Sequence, residues 1–317
     1  MTDISNFAHP EQANGAGDVY ANGLTIFGQE VLADFLTRNV MQPLIRSSTI
    51  VDSKTKQFDR VGNIVSDYHD VGTEVLGDEI IANKINISVD DRPLLGSVFM
   101  DQAEKILSHY DARAEYVVEI SRSISDKLDA RIQQVLVNAS KASAPVTGGP
   151  TGGTAAVANS DTDGAVLVAE IFTARASFMA KNVPVSNLMC AVNPVVFHIL
   201  AQENAVIHSD LNVGDNGGNN VVHDTIMIAG ISVIATNNLP STIVAADAHD
   251  GNTYAGTFTN LTAIIWNKGA AMTVVAKPLT MESDGYRSHY QGTTIVGKTL
   301  QGTGVFRNEE AYSIFST

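Results

Sequence analysis

The sequence has one cysteine, Cys190, in 317 residues. That excludes an intrachain disulfide and a zinc centre built from cysteines. Aromatic residues make up only 6%, with a single tryptophan, so the apolar share of 44% rests largely on Ala and small β-branched side chains. No uninterrupted apolar run reaches the length of a membrane span. Met1 to Asn22 is polar and lacks an apolar h-region. No secretory signal is therefore expected, and the chain reads as a soluble product of a reducing cytoplasm. Basic residues are scarce too: 20 Lys and Arg stand against 34 Asp and Glu, a formal charge of −14. Such an excess repels phosphate backbones at long range and disfavours specific nucleic-acid binding. It does not exclude enclosing DNA, because a container need not attract what it holds.

What is there suffices for a real core. With 17% charged residues the chain is too apolar for global disorder, and it is long enough for one large domain or two ordinary ones. After a polar arm over residues 1–23, Phe27, Val31, Leu32 and Phe35 share one helical face and predict a short helix over 26–38, ended near Pro43. Residues 58–68 and 84–98 are rich in β-branched side chains, with Ile85, Ile87 and Val89 in strict alternation. Between them lies a wide acidic tip containing Glu74, Asp78 and Glu79. The pattern predicts a long hairpin. Two strands alone bury too little to be stable in water, so it must lie on something else, such as a neighbouring subunit.

Asp101 to Asn138 carries the strongest helical signal, in two segments. Asp101 and Lys105 form an i,i+4 pair on the first, and Asp111 is placed to cap the second. Val117, Ile120, Ile124, Leu128, Ile132 and Val135 then recur every three or four residues as one apolar stripe. Arg113, Glu119, Arg122, Lys127 and Arg131 occupy the remaining surface. Residues 142–159 read as a Gly/Pro/Ala/Thr loop. A helix follows over 164–181, capped by Asp163, with Leu167, Ile171, Ala174 and Phe178 facing inward. A strand over 188–192 leads to Asn193-Pro194, a strong start for a helix over 195–203. Asn212 to Asn220 reads as an exposed loop. Strands are expected over 225–235, 261–266, 272–276 and 293–299. Helices and strands fall in separate runs, so the class is α+β.

Gly292-Thr-Thr-Ile-Val-Gly297-Lys298-Thr299 satisfies the phosphate-loop pattern letter for letter. A working phosphate loop follows a buried strand and opens a helix, whose N-terminal N–H groups meet the phosphates. Here Thr293 to Val296 are β-branched and favour a strand, and the Gly302/Gly304 segment beyond has no helical period. The motif reads as coincidence. His69, His198, His208, His223 and His249 lack metal-ligand spacing, no serine sits in a nucleophile elbow, and Cys190 reads as a small buried hydrophobe. The Gly148–Gly153 run lacks a dinucleotide fingerprint. No catalytic, cofactor or metal site is expected, and the chain is not expected to be an enzyme.

Phe27-Gly28-Gln29-Glu30-Val31-Leu32-Ala33-Asp34-Phe35 resembles the opening helix of major capsid proteins from autographivirus-type podophages, the T-seven-like group. His109-Tyr110-Asp111-Ala112-Arg113-Ala114-Glu115-Tyr116 resembles the start of their long helix more closely still. Lys56-Gln57-Phe58, the Ile85/Ile87/Val89 strand, Lys181-Asn182-Val183-Pro184 and Asn193-Pro194 look similar and fall in the same order. The added polar loops and the C-terminal end are unlike the family.

The resemblance implies an HK97-type α+β capsid fold with an N-arm and short helix over 1–50 and an extended hairpin, the E-loop, over 51–100. A peripheral domain with its spine helix would cover 101–185, an axial domain 186–267, and return strands of the peripheral domain 268–317. It implies a virion shell protein assembled in the host cytoplasm, forming hexamers and pentamers with itself around double-stranded DNA. The partners implied are a scaffolding protein, a portal protein and a cement or decoration protein, with no membrane and no cofactor. Glu74, Asp78, Glu79, Arg113, Arg122, Lys127 and Arg131 become candidates for inter-subunit contacts, and Asn212, Asp215, Asn216 and Asn219 for a loop at the capsomer axis. An encapsulin-like compartment shell would share the fold. Outside this fold, the chain could be a nucleotide-binding enzyme using Gly292–Thr299, or a structural protein of the phage tail or portal.

Overall fold

A computed structural model describes residues 30–35, 39–62, 66, 68–72, 74, 82–101, 112–146, 149–203, 225–247, 249, 252–287 and 292–317. The apolar stripe in the middle of the chain produces one 30-residue helix, α2 (Ala112–Lys141), about 45 Å long. It follows a short helix, α1 (residues 30–35). Val117, Ile120, Ile124, Leu128, Ile132 and Val135 are all buried, as their spacing requires.

Two sheets lie under this helix. The four-stranded one has the order β1-β12-β13-β4, with β1 (Arg46–Thr49), β4 (Leu94–Asp101), β12 (Ala271–Arg287) and β13 (Gly292–Val305). The six-stranded one runs β5-β14-β11-β6-β8-β7, formed by β5 (Gly153–Val157), β6 (Met189–Val192), β7 (Thr225–Ile228), β8 (Ile231–Ala235), β11 (Leu261–Trp266) and β14 (Ala311–Ser316). The N-terminal half of α2 packs with Val31 and Phe35 of α1 on the first sheet, through Ile295 and the half-buried Leu94, Val98 and Met281. Its C-terminal half packs through Ile132, Val135, Leu136 and Ala139 on the second, against Ile264 and Trp266. One helix therefore bridges both sheets.

The far face of the six-stranded sheet is covered by α3 (Gly164–Ala180) and α4 (Pro194–Gln202). Asp163 accepts a hydrogen bond from Ala165 N, and Asn193 one from Val195 N, so both helix starts follow the capping chemistry read from the sequence. Burial on both faces explains the unbroken apolar run Ala263–Trp266 of β11: Ala263 and Ile265 face α3 and α4, while Ile264 and Trp266 face α2. Cys190 is fully buried in the α3/α4 core, which pushes its thiol up to about 12. Two shorter pairs complete the described strands: the hairpin β2 (Thr55–Val61) with β3 (Ala82–Ser88), and β9 (Ile243–Val244) with β10 (Gly256–Thr257).

Several expected elements are corrected. Residues 84–98 form two strands, not one: Val89 and Asp90 are buried, the chain turns through Asp91-Arg92-Pro93, and β4 joins a different sheet from β3. Asp101 ends β4, paired with Gly292, rather than opening a helix. Asp111 and the rest of the expected first helical segment lie outside the described residues. Residues 153–157, expected as loop, form β5 parallel to β14. Gly153 is required there, because the Tyr312 ring lies 2.2 Å from where its Cβ would be. The single strand expected over 225–235 is a hairpin, with Ala229 and Gly230 both at positive φ (51° and 73°). β12 and β13 run far beyond their expected ends; the irregular register between Lys277 and Thr280, around Pro278, hides the continuity.

Candidate assembly interface

The hairpin is rooted on its own chain. Strands β2 and β3 pair from Thr55↔Ser88 to Val61↔Ala82. Ile87 and Val89 pack with Met272 and Val274 of β12, and Phe58 meets Phe306 edge to face at 5.4 Å. Gly302 and Gly304 of β13 make room for this: a Cβ on Gly302 would stand 2.1 Å from Ser88 O, and one on Gly304 3.1 Å from Ile87. Asn252 binds both edges of Ser88, accepting from its N–H and donating to its carbonyl. An ion pair of 2.6 Å joins Arg60 to Glu309 with side chains only 16% and 9% exposed. The expectation that the hairpin needs an apolar surface from elsewhere is therefore corrected for its root. Further out, the described residues give no such cover. Val61 is 61% exposed, Tyr68 and Val71 are fully exposed, and Glu74 is exposed. Asp78 and Glu79 lie outside the described residues.

The candidate cations on the spine divide. Arg122 and Lys127 are exposed, and Arg122 lies 3.6 Å from Asp126 one turn on. Arg113 falls in the first turn of α2. Arg131 instead turns inward, where its Nη1 donates to Asp90 at 2.5 Å while its guanidinium stacks 4.6 Å from the centre of the Tyr254 ring. Tyr254 donates its hydroxyl to both Asp90 oxygens, at 3.0 and 3.1 Å, and accepts from Thr303 N at 3.0 Å. Burial, with Asp90 alongside, raises the tyrosine's pKa, so it stays a neutral donor. This group ties the hairpin exit, the spine, the 252–255 segment and β13 at one point. Sequence reasoning missed it; the signal that could have found it was Asp90, an acidic residue continuing the Ile85/Ile87/Val89 strand.

Asp129 is a second buried acid on the spine. It accepts from Met41 N at 3.2 Å and Val40 N at 3.4 Å, fixing the segment that leads from α1 into β1. Burial pushes its carboxyl up to about 6, against the two backbone hydrogen bonds that favour the charged form.

The phosphate-loop letters lie in β13, hydrogen-bonded between β12 and β4. Their backbone groups serve the ladder, Lys298 pairs with Glu282, and the strand continues to Val305. No cradle exists. Among the described residues no three His, Cys, Asp or Glu side chains group to hold a metal, and no helix is long and apolar enough to cross a membrane. His69, His198 and His249 are exposed; His208, His223, Asn212, Asp215, Asn216 and Asn219 lie outside the described residues. The built features thus hold a hairpin, a spine and two sheets in fixed relation, and none of them is a reaction centre.

Proteins similar to this chain include capsid proteins. The family described as "Gp10A-like: Major capsid protein" matches residues 57–315. The major capsid protein of Enterobacteria phage T3 is 27% identical, over 96% of this chain and 94% of its own length. The capsid structure of the cyanophage P-SCSP1u superposes with a TM-score of 0.77 at 28% identity, covering 88% of each chain. A virus-like particle from Pyrococcus furiosus reaches 0.57 at 11% identity, over 92% of this chain and 98% of its own, a likeness of fold alone.

Proposed function

The chain belongs to the Gp10A-like family of major capsid proteins, and we propose that it builds an icosahedral phage shell of hexamers and pentamers around double-stranded DNA. Its fold is the HK97-type capsid fold, its place is the virion capsid, and its family is structural rather than enzymatic. The observation that carries the shell reading is the hairpin. Its root is locked to the body by Arg60–Glu309 and the Asp90–Arg131–Tyr254 group, while Tyr68, Val71 and Glu74 are left exposed by the described residues. A rigidly rooted, outwardly uncovered arm suits contact with an adjoining subunit, where exposed apolar side chains gain burial.

Within that reading, residues 51–100 serve as the extended hairpin, 101–185 as the peripheral domain, 186–267 as the axial domain and 268–317 as return strands. Glu74, Asp78 and Glu79 at the tip and Arg113, Arg122 and Lys127 on the spine are the candidates for inter-subunit ion pairs. Each exposed pair contributes little, so affinity comes from many simultaneous contacts. Arg131 is held in the subunit by Asp90 and acts on assembly through the hairpin's anchorage. Asn212, Asp215, Asn216 and Asn219 would line the capsomer axis. A scaffolding protein guides closure in the host cytoplasm, a portal protein occupies one vertex, and a cement or decoration protein is an optional addition. The net charge of −14 accords with DNA enclosed without specific binding. The T3 relative favours this reading over an encapsulin-like compartment. The test is co-expression with a scaffolding protein, followed by sedimentation and electron microscopy. Closed shells are expected; a monomer or dimer under every such condition refutes the reading.

A further inference from the structure

Helix α3 has two surfaces. Leu167, Ile171, Ala174 and Phe178 pack into the core against the six-stranded sheet. The opposite arc is exposed at Ala165, Ala169, Phe172, Ala176 and Met179, a four-three-four-three spacing that makes a single seam along the helix. Phe172 is 55% exposed and Met179 59%. Thr173, beside the seam, donates its hydroxyl to the Ala169 carbonyl and so needs no external partner.

No charge interrupts this arc. The helix has only two charged residues, and both are engaged with its own subunit: Glu170 accepts from the Tyr312 hydroxyl at 2.8 Å, and Arg175 donates to the Ala229 carbonyl. The outer surface of α2 is different, with Glu119, Arg122, Asp126 and Lys127 exposed to solvent. A helix that is apolar all round belongs in an interior. Here the described residues of the subunit cover only one side of it.

We propose that the Ala165–Ala169–Phe172–Ala176–Met179 face of α3 is a contact surface for an adjoining copy of this chain in the assembled shell. The proposal rests on the capsid reading. Two features select a second copy. Chains of charge −14 repel one another, so their closest contacts belong on surfaces without charge, and this seam is one. The seam is also the wrong size for an independent dimer. A 17-residue helix presents a strip about 25 Å long and about 10 Å wide, on the order of 250 Å². A stable dimer buries roughly 800 Å² on each partner. Such a strip holds a neighbour only when other contacts act with it, the condition met inside a closed shell and absent for two free subunits. The three alanines leave room for close approach of the neighbour's backbone, and Phe172 and Met179 are the bulky groups that fill its hollows.

The single cysteine makes the test direct, because Cys190 is buried and its raised thiol pKa keeps it unreactive in the folded chain. Ala169→Cys and Ala176→Cys are each labelled with a polar maleimide, as free subunits and as shells formed with scaffolding protein alone. Labelling at least about tenfold slower in shells is expected. Equal rates in the two states overturn the proposal, as does protection that appears only when another virion protein is added. Phe172→Glu should leave the subunit's melting temperature unchanged and abolish closed shells; normal shells from this variant overturn it. Wild-type shells are made first. Their absence refutes the capsid reading and this proposal with it, whereas their presence with an accessible seam refutes only the proposal.

Discussion

Gly96 and Gly297 stand opposite each other on neighbouring antiparallel strands, and both place backbone where a side chain would meet Ile120 and Ile124 of the spine. A Cβ on Gly96 would lie 3.3 Å from Ile124, and one on Gly297 3.0 Å from the Met281 sulfur and 3.3 Å from Ile120. The pair forms a flat window on which the helix rests. Gly297→Val should therefore lower stability by about 1–3 kcal/mol, the usual cost of overpacking, despite valine's preference for strands. Thermal unfolding of free subunits reads this, and an unchanged melting temperature would show that the helix can move away.

Arg131→Met should destabilise the subunit itself, by about 1–3 kcal/mol, because it leaves the Asp90 carboxylate buried without its cation. The prediction separates Arg131 from Arg122 and Lys127, whose replacement by Met should leave stability within about 0.5 kcal/mol of wild type. Urea unfolding of the three variants side by side provides the comparison. Equal stability across the set would place Arg131 with the surface cations.

The raised pKa of Asp129 has a defined sign. Its carboxyl binds protons more tightly folded, near 6, than unfolded, near 3.8. Stability attributable to it is highest below pH 4 and falls as pH rises from about 4 to 6. Asp129→Asn keeps an acceptor for Met41 and Val40 without the charge. It should raise stability at pH 7 by roughly 1–3 kcal/mol, with the gain shrinking toward pH 4. Denaturant titrations at several pH values check the slope, and a gain that does not vary with pH contradicts the assignment.

Replacing residues 62–81 by Asn-Gly would close the hairpin directly between Val61 and Ala82, with a turn suited to tight antiparallel strands. The root contacts at Phe58, Arg60 and Ile87 remain, so folding should be normal while shell formation stops. Circular dichroism and sedimentation of one sample distinguish the two effects. Normal shells would show that the outer hairpin is not an inter-subunit arm.

How much of this was legible in the sequence depended on whether a partner was local. The spine stripe, the Asp163 cap and the Asn193-Pro194 start concern residues within a turn or two, and the structure places each as read. β5 was illegible because Gly-Thr-Ala-Ala-Val carries no strand signal; it is a strand because Tyr312 and its neighbours lie alongside. The hairpin's anchorage was missed likewise, since Gly302 and Gly304 look like strand breakers until Ser88 and Ile87 are seen crossing above them. At the candidate contacts, sequence could identify charges but not which were already engaged. Arg122 and Arg131 look alike in the sequence, and only Asp90, 41 positions before Arg131, tells them apart.

The position of β14 makes the six-stranded sheet depend on a segment distant in sequence. Ala311–Ser316 is inserted between β5 and β11, contacting strands about 160 and 50 residues earlier in the sequence. Without Ala311–Ser316 in place, β11 has one side of its ladder open and β5 has no partner among the described strands. A chain in which this strand is unpaired is thus kept from completing the sheet that supports α3, and with it the seam proposed for neighbouring copies. Seating of this strand acts as a checkpoint: only subunits that hold it in place are fit to enter a growing lattice, where one incomplete member would weaken every ring it joined.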